Sequence, residues 1–367
     1  MIKKLGLALL ILCTTVTLSG TSLAASITTN IEVSKTILDY NNVRPESDGS
    51  FHDGLLFAER SDGSLTYYNT KGNTAFTLPK DIEPISDFFE QRAIVRNKET
   101  KRFGYINTLG KLAISCQYNE VGYFSEGVAH VTLPDANQEA LIDRIGKTVT
   151  LLTTKYSSDY YFTNGLSMVT DLKSKKIGFI NTLGRLTIPS KYTNASAFSE
   201  GMATVQNSKG AYGYIDTTGK VIIPFNYKSG GDFSEGLAPV QNTKGKWGFI
   251  DKTGKIMIPF QYDNAHKFSE GLAIVYNHKG QVGFINKKGV MVVGYQKYTI
   301  AFNFKEGITL VGIGTTANGK FGYMDRQGKL LTKLEYRSES SSFNGGYAVA
   351  IKAPGKAVIL TKRSLTK

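Results

Sequence analysis

Five glutamates, Glu126, Glu200, Glu235, Glu270 and Glu306, each stand third in a Phe-Ser-Glu-Gly or Phe-Lys-Glu-Gly tetrapeptide. Carboxylates suggest general acid–base work, but glycoside-type hydrolysis needs a unique pair held at a set separation in one cleft. An acid repeated identically along a chain reads instead as a turn residue or as part of a ligand surface. The four histidines, His52, His130, His266 and His278, lie at non-equivalent positions without metal-site spacing. No Gly-rich phosphate loop, HExxH or GxSxG is present. Ser-Asp-Gly at 47–49 and 61–63 is too little for a calcium loop and reads as a turn. The expectation is a protein that is not an enzyme, with no catalytic residue, no metal ligand and no cofactor.

The basic residues form a second recurring set. Lys98, Lys101 and Arg102, then Lys173, Lys175 and Lys176, then Lys209, Lys244, Lys246, Lys279 and Lys320 all fall just before a Gly-containing apolar stretch. Stacked side by side, such loops line one edge as a basic ridge, a candidate ligand surface. They equally serve as solvated turns that keep the chain soluble and blunt exposed strand edges.

Both sets follow from an internal repeat. The pattern apolar-Gly-aromatic-Ile-Asp/Asn-x-x-Gly appears as FGYINTLG (103–110), IGFINTLG (177–184), YGYIDTTG (212–219) and WGFIDKTG (247–254). VGFINKKG (282–289) and FGYMDRQG (321–328) continue it, with worn copies TYYNTKG (66–72) and ALIDRIG (140–146) and a truncated AVIL (357–360). Its first Gly steps from Gly178 to Gly213, Gly248 and Gly283, a period of 35. FSEG keeps the same beat at 124–127, 198–201, 233–236 and 268–271, with FKEG at 304–307 and weaker FHDG (51–54), FTNG (162–165) and FNGG (343–346). About nine units therefore run from 36 to 361 without a linker.

Within a unit, alternation predicts strands: Trp247 and Phe249 face one way, Gly248 and Ile250 the other. Gly inside a strand is a notch for a close neighbour, which accounts for Gly104, Gly178, Gly213, Gly248, Gly283 and Gly322. Asp251, Asp216, Asn181 and Asn107 interchange at the start of a turn ending in Gly. That interchange fits a type I turn with a bulge and not a catalytic acid. A strand such as KIMIP follows, ended by Pro259, Pro224 or Pro189, which cannot donate to a ladder. Tyr118, Tyr192, Tyr227, Tyr262 and Tyr336 recur at one offset. Each unit thus supplies three antiparallel strands and a crossover of roughly ten residues, and buries its apolar face only against its neighbours.

These motifs resemble the bacterial WG (KWG) repeat, whose consensus reads like residues 246–275. The resemblance covers roughly nine-tenths of the mature chain, although Trp247 alone keeps the eponymous Trp. Phe103, Ile177, Tyr212, Val282 and Phe321 stand in for it elsewhere. It implies a non-catalytic repeat protein of the kind common among exported bacterial proteins, with profile similarity to cell-wall-binding hairpin repeats.

The fold class expected is all-β: a tandem array of about nine 35-residue β-meanders. Nine short units exceed the usual four to eight propeller blades, which favours an open hairpin solenoid. The alternative is a closed, propeller-like ring, since the chain starts on a third strand (Ile37 to Tyr40) and stops on a second, so that its ends could complete one blade.

The first residues have the zones of an export signal. Lys3 and Lys4 precede an apolar run, Leu5 to Leu18, and Ser22-Leu23-Ala24 precede cleavage after Ala24. The division expected is a signal over 1–24, a short lead over 25–35, the repeat domain over 36–361 and a tail over 362–367. After cleavage Cys116 is the one cysteine left, so no intramolecular disulfide forms, and it reads as a packed, inert thiol. The chain carries +14; without Lys3 and Lys4, 42 basic side chains face 30 acidic ones, a net +12. A strongly basic exported protein meets anionic surfaces. The expectation is a secreted or envelope-located scaffold, on the periplasmic or cell-surface side, that binds an anionic envelope polymer or an envelope protein, with no membrane span in the mature chain. Nucleic acid is not expected, for want of a recognised module. Two other readings are a protein–protein platform using the tyrosine rows and a propeller-type glycan hydrolase.

Overall fold

The computed structural model describes residues 28–40, 49–135, 138–158, 160–315 and 318–365; the candidate export signal and its cleavage site lie outside them. Among the described residues every regular element is a strand, and the strands form nine antiparallel sheets.

The sheet holding the best-kept unit shows why the sequence folds this way. Its strands are Ser229–Gly230, Leu237–Gln241, Trp247–Asp251 and Ile256–Tyr262, each paired with the next in chain order. The crossover thus contributes a two-residue fourth strand that alternation alone could not reveal. Trp247 sits opposite Tyr262 and Phe249 opposite Ile258, so Pro259, Phe260 and Gln261 of one strand lie against Gly248 alone of the other. Pro259 lies inside this bulge. The expectation that Pro259, Pro224 and Pro189 end their strands is corrected: each strand runs on to Tyr262, Tyr227 or Tyr192, because a bulged outer strand does not need the missing N–H. The bulge also explains the notch. A Cβ on Gly248 would lie 2.6 Å from the Ile258 carbonyl oxygen, and one on Gly104, Gly178 or Gly213 would meet the equivalent oxygen of Ile114, Ile188 or Ile223 at 2.5–2.6 Å. Gly322 is held against the Lys333 carbonyl in the same way, whereas Gly283 faces the Met291 sulfur and the Tyr295 ring.

Each sheet packs face to face on the next through a buried cluster. Phe268, fully buried, wedges against Phe249 of the preceding unit with ring centroids 4.9 Å apart. Phe124 on Tyr105, Phe198 on Phe179 and Phe233 on Tyr214 repeat the contact at 4.9–5.0 Å. Burying such a ring contributes about 1.5–3 kcal/mol.

The ends of the array meet. Thr28–Leu38 pairs antiparallel with Lys356–Leu365, from Thr28 opposite Leu365 to Leu38 opposite Ala357. The resulting sheet is packed on both faces. Ala348, Ala350, Val358 and Leu360 join Ile308, Leu310 and Tyr323 of the eighth unit. Val349, Ile351 and Ile359 join Tyr40, Phe51 and Leu56 of the first. Nine units therefore have nine interfaces, and the arrangement built is the ring held in reserve beside the favoured open stack. Counting units against common propellers could not anticipate a seam sheet made from both ends of the chain, which leaves no terminal face to cap. The same pairing takes residues 28–35 of the expected lead and 362–365 of the expected tail into this sheet.

Candidate functional site: the two ends of the ring

The strands run between two ends. One end carries the Phe-x-Glu-Gly turns and the Asp-x-x-Gly turns; the other carries the basic loops.

At the turn end, Ser234 and Leu237 exchange both backbone hydrogen bonds around Glu235 and Gly236, whose φ angles are 55° and 84°. Two left-handed residues in a two-residue hairpin make a type I′ turn. Holding a non-glycine there costs roughly 1–2 kcal/mol. The carboxylate offsets it by reaching into the next unit. Glu235 accepts the Gly271 N–H at 2.9 and 3.0 Å, Glu200 that of Gly236 at 3.0 Å, Glu270 that of Gly307 at 2.6 Å and Glu306 that of Gly346 at 2.9 Å. Glu126 serves Gly165 at 2.7 Å and Glu90 serves Gly127 at 2.9 Å. Asp53 accepts from Gln91 at 3.2 Å and Asn164 Oδ1 from Gly201 at 2.7 Å. Asn344 donates to the Phe51 carbonyl at 2.6 Å and completes the circuit across the seam. Serine hydroxyls add a second course: Ser199 donates to the Phe233 carbonyl and Ser269 to that of Phe304.

The repeated glutamates are therefore latches between units. Asn164 fills the role as well as an acid does, which marks it as hydrogen-bond acceptance and not proton transfer. The ninth member, Phe88-Phe89-Glu90-Gln91, departs from the motif in carrying Gln91 where the sister turns carry glycine, at a φ of 63°. Cations from the neighbouring Asp-x-x-Gly turns brace the latches. Lys252 Nζ donates to the Glu200 carbonyl at 2.8 Å, Lys287 to that of Glu235 at 3.0 Å, and Arg144 pairs with the Glu90 carboxylate at 2.8 Å. Burial opposes ionisation of Glu200, but the Gly236 N–H and Lys252 outweigh it and hold the carboxyl below its ordinary range. Glu90 is held low in the same way by Arg144 and the Gly127 N–H against its own burial.

The other repeated groups are occupied too. Asp251 Oδ1 accepts from the Thr253 hydroxyl at 2.7 Å and from the Thr253 and Lys255 amides at 2.9 and 3.0 Å, the turn expected; the Thr253 hydroxyl leads in lowering its pKa. Tyr118, Tyr192, Tyr262 and Tyr336 are buried and Tyr227 is half-buried, so the tyrosine rows line the core and do not form a contact surface. Cys116 is half-buried against the core between the first two units, and burial pushes its thiol up. His130 stacks on Tyr160 at 4.6 Å and His266 lies beside Tyr276, far apart in the ring, and among the described residues no group of three metal-ligating side chains converges.

At the loop end, Lys98, Lys101, Lys173, Lys175, Lys209, Lys244, Lys279 and Lys320 are exposed, and Arg102, Lys176 and Lys246 are half-buried. Lys246 pairs with Asp263 at 2.7 Å and Lys98 donates to the Lys80 carbonyl at 2.8 Å. Lys101, Lys175, Lys209, Lys244, Lys279 and Lys320 make no ion pair among the described residues. The strand directions bring all these loops to one end of the ring. Lys101 and Lys175 hold φ angles of 58° and 56° where Gly210, Gly245 and Gly280 stand in sister loops. Among the described residues no helix is long and apolar enough to cross a membrane.

A ring of β-meander repeats latched through its turns is thus the class of protein defined here. The profile of the WG containing repeat matches residues 103–133, 177–209, 212–247, 247–279, 283–314 and 321–352, more than half of the chain, and the protein belongs to that family. No curated protein matches the sequence. Among solved structures, the computationally designed Ika8 protein is similar at a TM-score of 0.50 and 13% identity, over 89% of this chain and 98% of that one, a likeness of fold alone. BamB from Moraxella catarrhalis aligns at 0.45 and 12%, over 89% and 100%. The C-terminal WD40 domain of Sif2 aligns at 0.41 and 10%, over 90% and 98%.

Proposed function

We propose that this protein is an exported, non-enzymatic scaffold of the bacterial envelope whose loop end holds an anionic polymer of the wall or surface. The observation that carries the reading is the gathering of the basic loops at one end of the ring, where Lys209, Lys244 and Lys279 recur at a period of 35 without ion-pair partners among the described residues. A repeating cation matches a repeating anion, and the net +12 of the mature chain adds long-range attraction. The candidate signal over residues 1–24 supports a place outside the cytoplasm. The non-enzymatic part of the reading is supported by the turn carboxylates, which accept backbone N–H groups of the next unit. Protein purified after export should sediment with cell-wall or anionic-lipid preparations at low salt. It should be released as ionic strength rises past about 0.1 M, where the Debye length falls to about 10 Å. Absence of binding at low salt, or binding indifferent to salt, would sink this reading.

A further inference from the structure

The turn end departs from its own repeat in one sector. The residue before the turn acid is Ser125, Ser199, Ser234 or Ser269 in four units, but His52 in the first and Phe89 in the second. One position before the turn Phe, the third and fourth units carry Tyr123 and Tyr161. These aromatics gather: His52 lies 5.5 Å from Phe89, and Phe89 lies 4.4 Å from Tyr123, centroid to centroid. Tyr161 is 45% exposed and borders the same cavity, about 450 Å³ in volume, together with His52, Phe89, Asp53, Glu126 and Asn344. That volume falls within the roughly 300–1,000 Å³ of ligand pockets. The cavity draws on five consecutive units counted through the seam, so it opens at the mouth of the ring axis.

We infer that this cavity is a saccharide-binding site, taking a neutral pyranose ring against its aromatic shelf. The half-buried rings of His52 and Phe89 and the exposed ring of Tyr161, with polar groups around them, suit the C–H face and hydroxyls of a sugar. A cation is the competing occupant, since accepting an N–H leaves a carboxylate its charge, and the tetramethylammonium arm below tests it. Asp53, Glu90 and Glu126 each already accept a backbone N–H of the next turn, and Glu90 is also paired with Arg144. Their remaining lone pairs are fixed acceptors for hydroxyls. Neighbouring rings meet at 32° and 43°, an open shelf and not the enclosing box that a quaternary ammonium group needs. The site is at the opposite end from the basic loops, so it stands or falls apart from the anionic-polymer reading.

The probes are cellotriose and chitotriose, with tetramethylammonium as a third arm, followed by saturation-transfer NMR and calorimetry on the full exported chain. Saturable binding of at least one trisaccharide is expected, little changed by salt. Tyr161→Ala and, separately, Phe89→Ser, which restores the residue of the sister turns, should each weaken it roughly tenfold. Ser234→Ala, at the matching place in the sixth unit, should leave it unchanged. Tyr161 is exposed, so its variant reads out binding even if Phe89→Ser unfolds the first two units. The inference is overturned if neither sugar binds, if binding survives Tyr161→Ala, or if tetramethylammonium alone saturates the site.

Discussion

At the turn end, Glu235 gives its carboxylate to the Gly271 N–H and its carbonyl to Lys287, while Lys287 also lies 3.1 Å from that carboxylate. At the loop end, the equally recurrent Lys244 and Lys279 extend outward without an ion pair among the described residues. Recurrence alone does not separate the two cases, since both sets keep the same 35-residue beat. The difference lies in what each backbone offers. The type I′ turns stand beside one another around the axis, and each presents a backbone N–H to the preceding unit's acid. The loops at the other end close their own hydrogen bonds locally, as when Asn242 Oδ1 accepts from the Lys244 and Lys246 amides at 3.0 Å. Local satisfaction leaves the loop side chains uncommitted.

The comparison breaks hardest at the turn phenylalanines. Phe268 is fully buried at the interface between the sixth and seventh units, so Phe268→Ala should cost about 3–5 kcal/mol by cavity formation. Chemical denaturation should show that loss, and a midpoint close to that of the parent protein would mean that the units do not depend on one another.

The latches come next. Glu235→Ala should destabilise by about 1–3 kcal/mol, as expected when a half-buried donor loses a charged acceptor, whereas Glu235→Gln should cost less, since Asn164 already shows that an amide oxygen suffices. Acid should weaken the ring in two stages. Burial lowers the imidazole pKa of His130 and His266 in the folded chain, so stability is lost first as pH falls below about 6.5, where the unfolded chain takes up protons more readily. Glu90 and Glu200 are held low when folded, so their contribution is complete above about 4.5 and disappears as pH falls through their folded values. Urea midpoints measured from pH 7.5 to 3 should show both stages. Glu200→Gln should shrink the lower one and leave the upper one unchanged.

What could be read in the sequence follows the same divide. The Asp-x-x-Gly turns, the glycine notch and the strand alternation are local, and Asp251, Gly248 and Trp247 take the places their neighbours dictate. The glutamate latch is not local. Its partner is a backbone N–H some 35 residues away, and an amide has no residue type to search for. Gln91 hid a ninth turn because side chains other than glycine can hold the left-handed conformation when the surroundings repay it. The seam was half legible. Ile37 to Tyr40 read as a strand in search of its sheet, but Thr28–Leu38 carries no repeat motif, and its partner lies more than 300 residues away in the chain. Gathering of the basic loops along one edge was already an expectation of stacking; the strand directions add that this edge lies opposite the turn end.

The smallest effect on stability tests the comparison most finely. Replacing Lys209, Lys244 and Lys279 together by Ala removes three exposed cations that make no ion pair among the described residues. Solvated positions of this kind change stability by no more than about 0.5 kcal/mol each, so the melting temperature should hardly move. Attraction to an anionic polymer scales with the charges engaged, so sedimentation with wall preparations should fall and the salt needed for release should drop. Loss of stability in the triple variant would place these lysines among the structural residues of the ring. Unchanged stability with unchanged sedimentation would leave them as solubilising turns. Only unchanged stability with weaker, more salt-sensitive binding separates the end that holds the ring together from the end that holds something else.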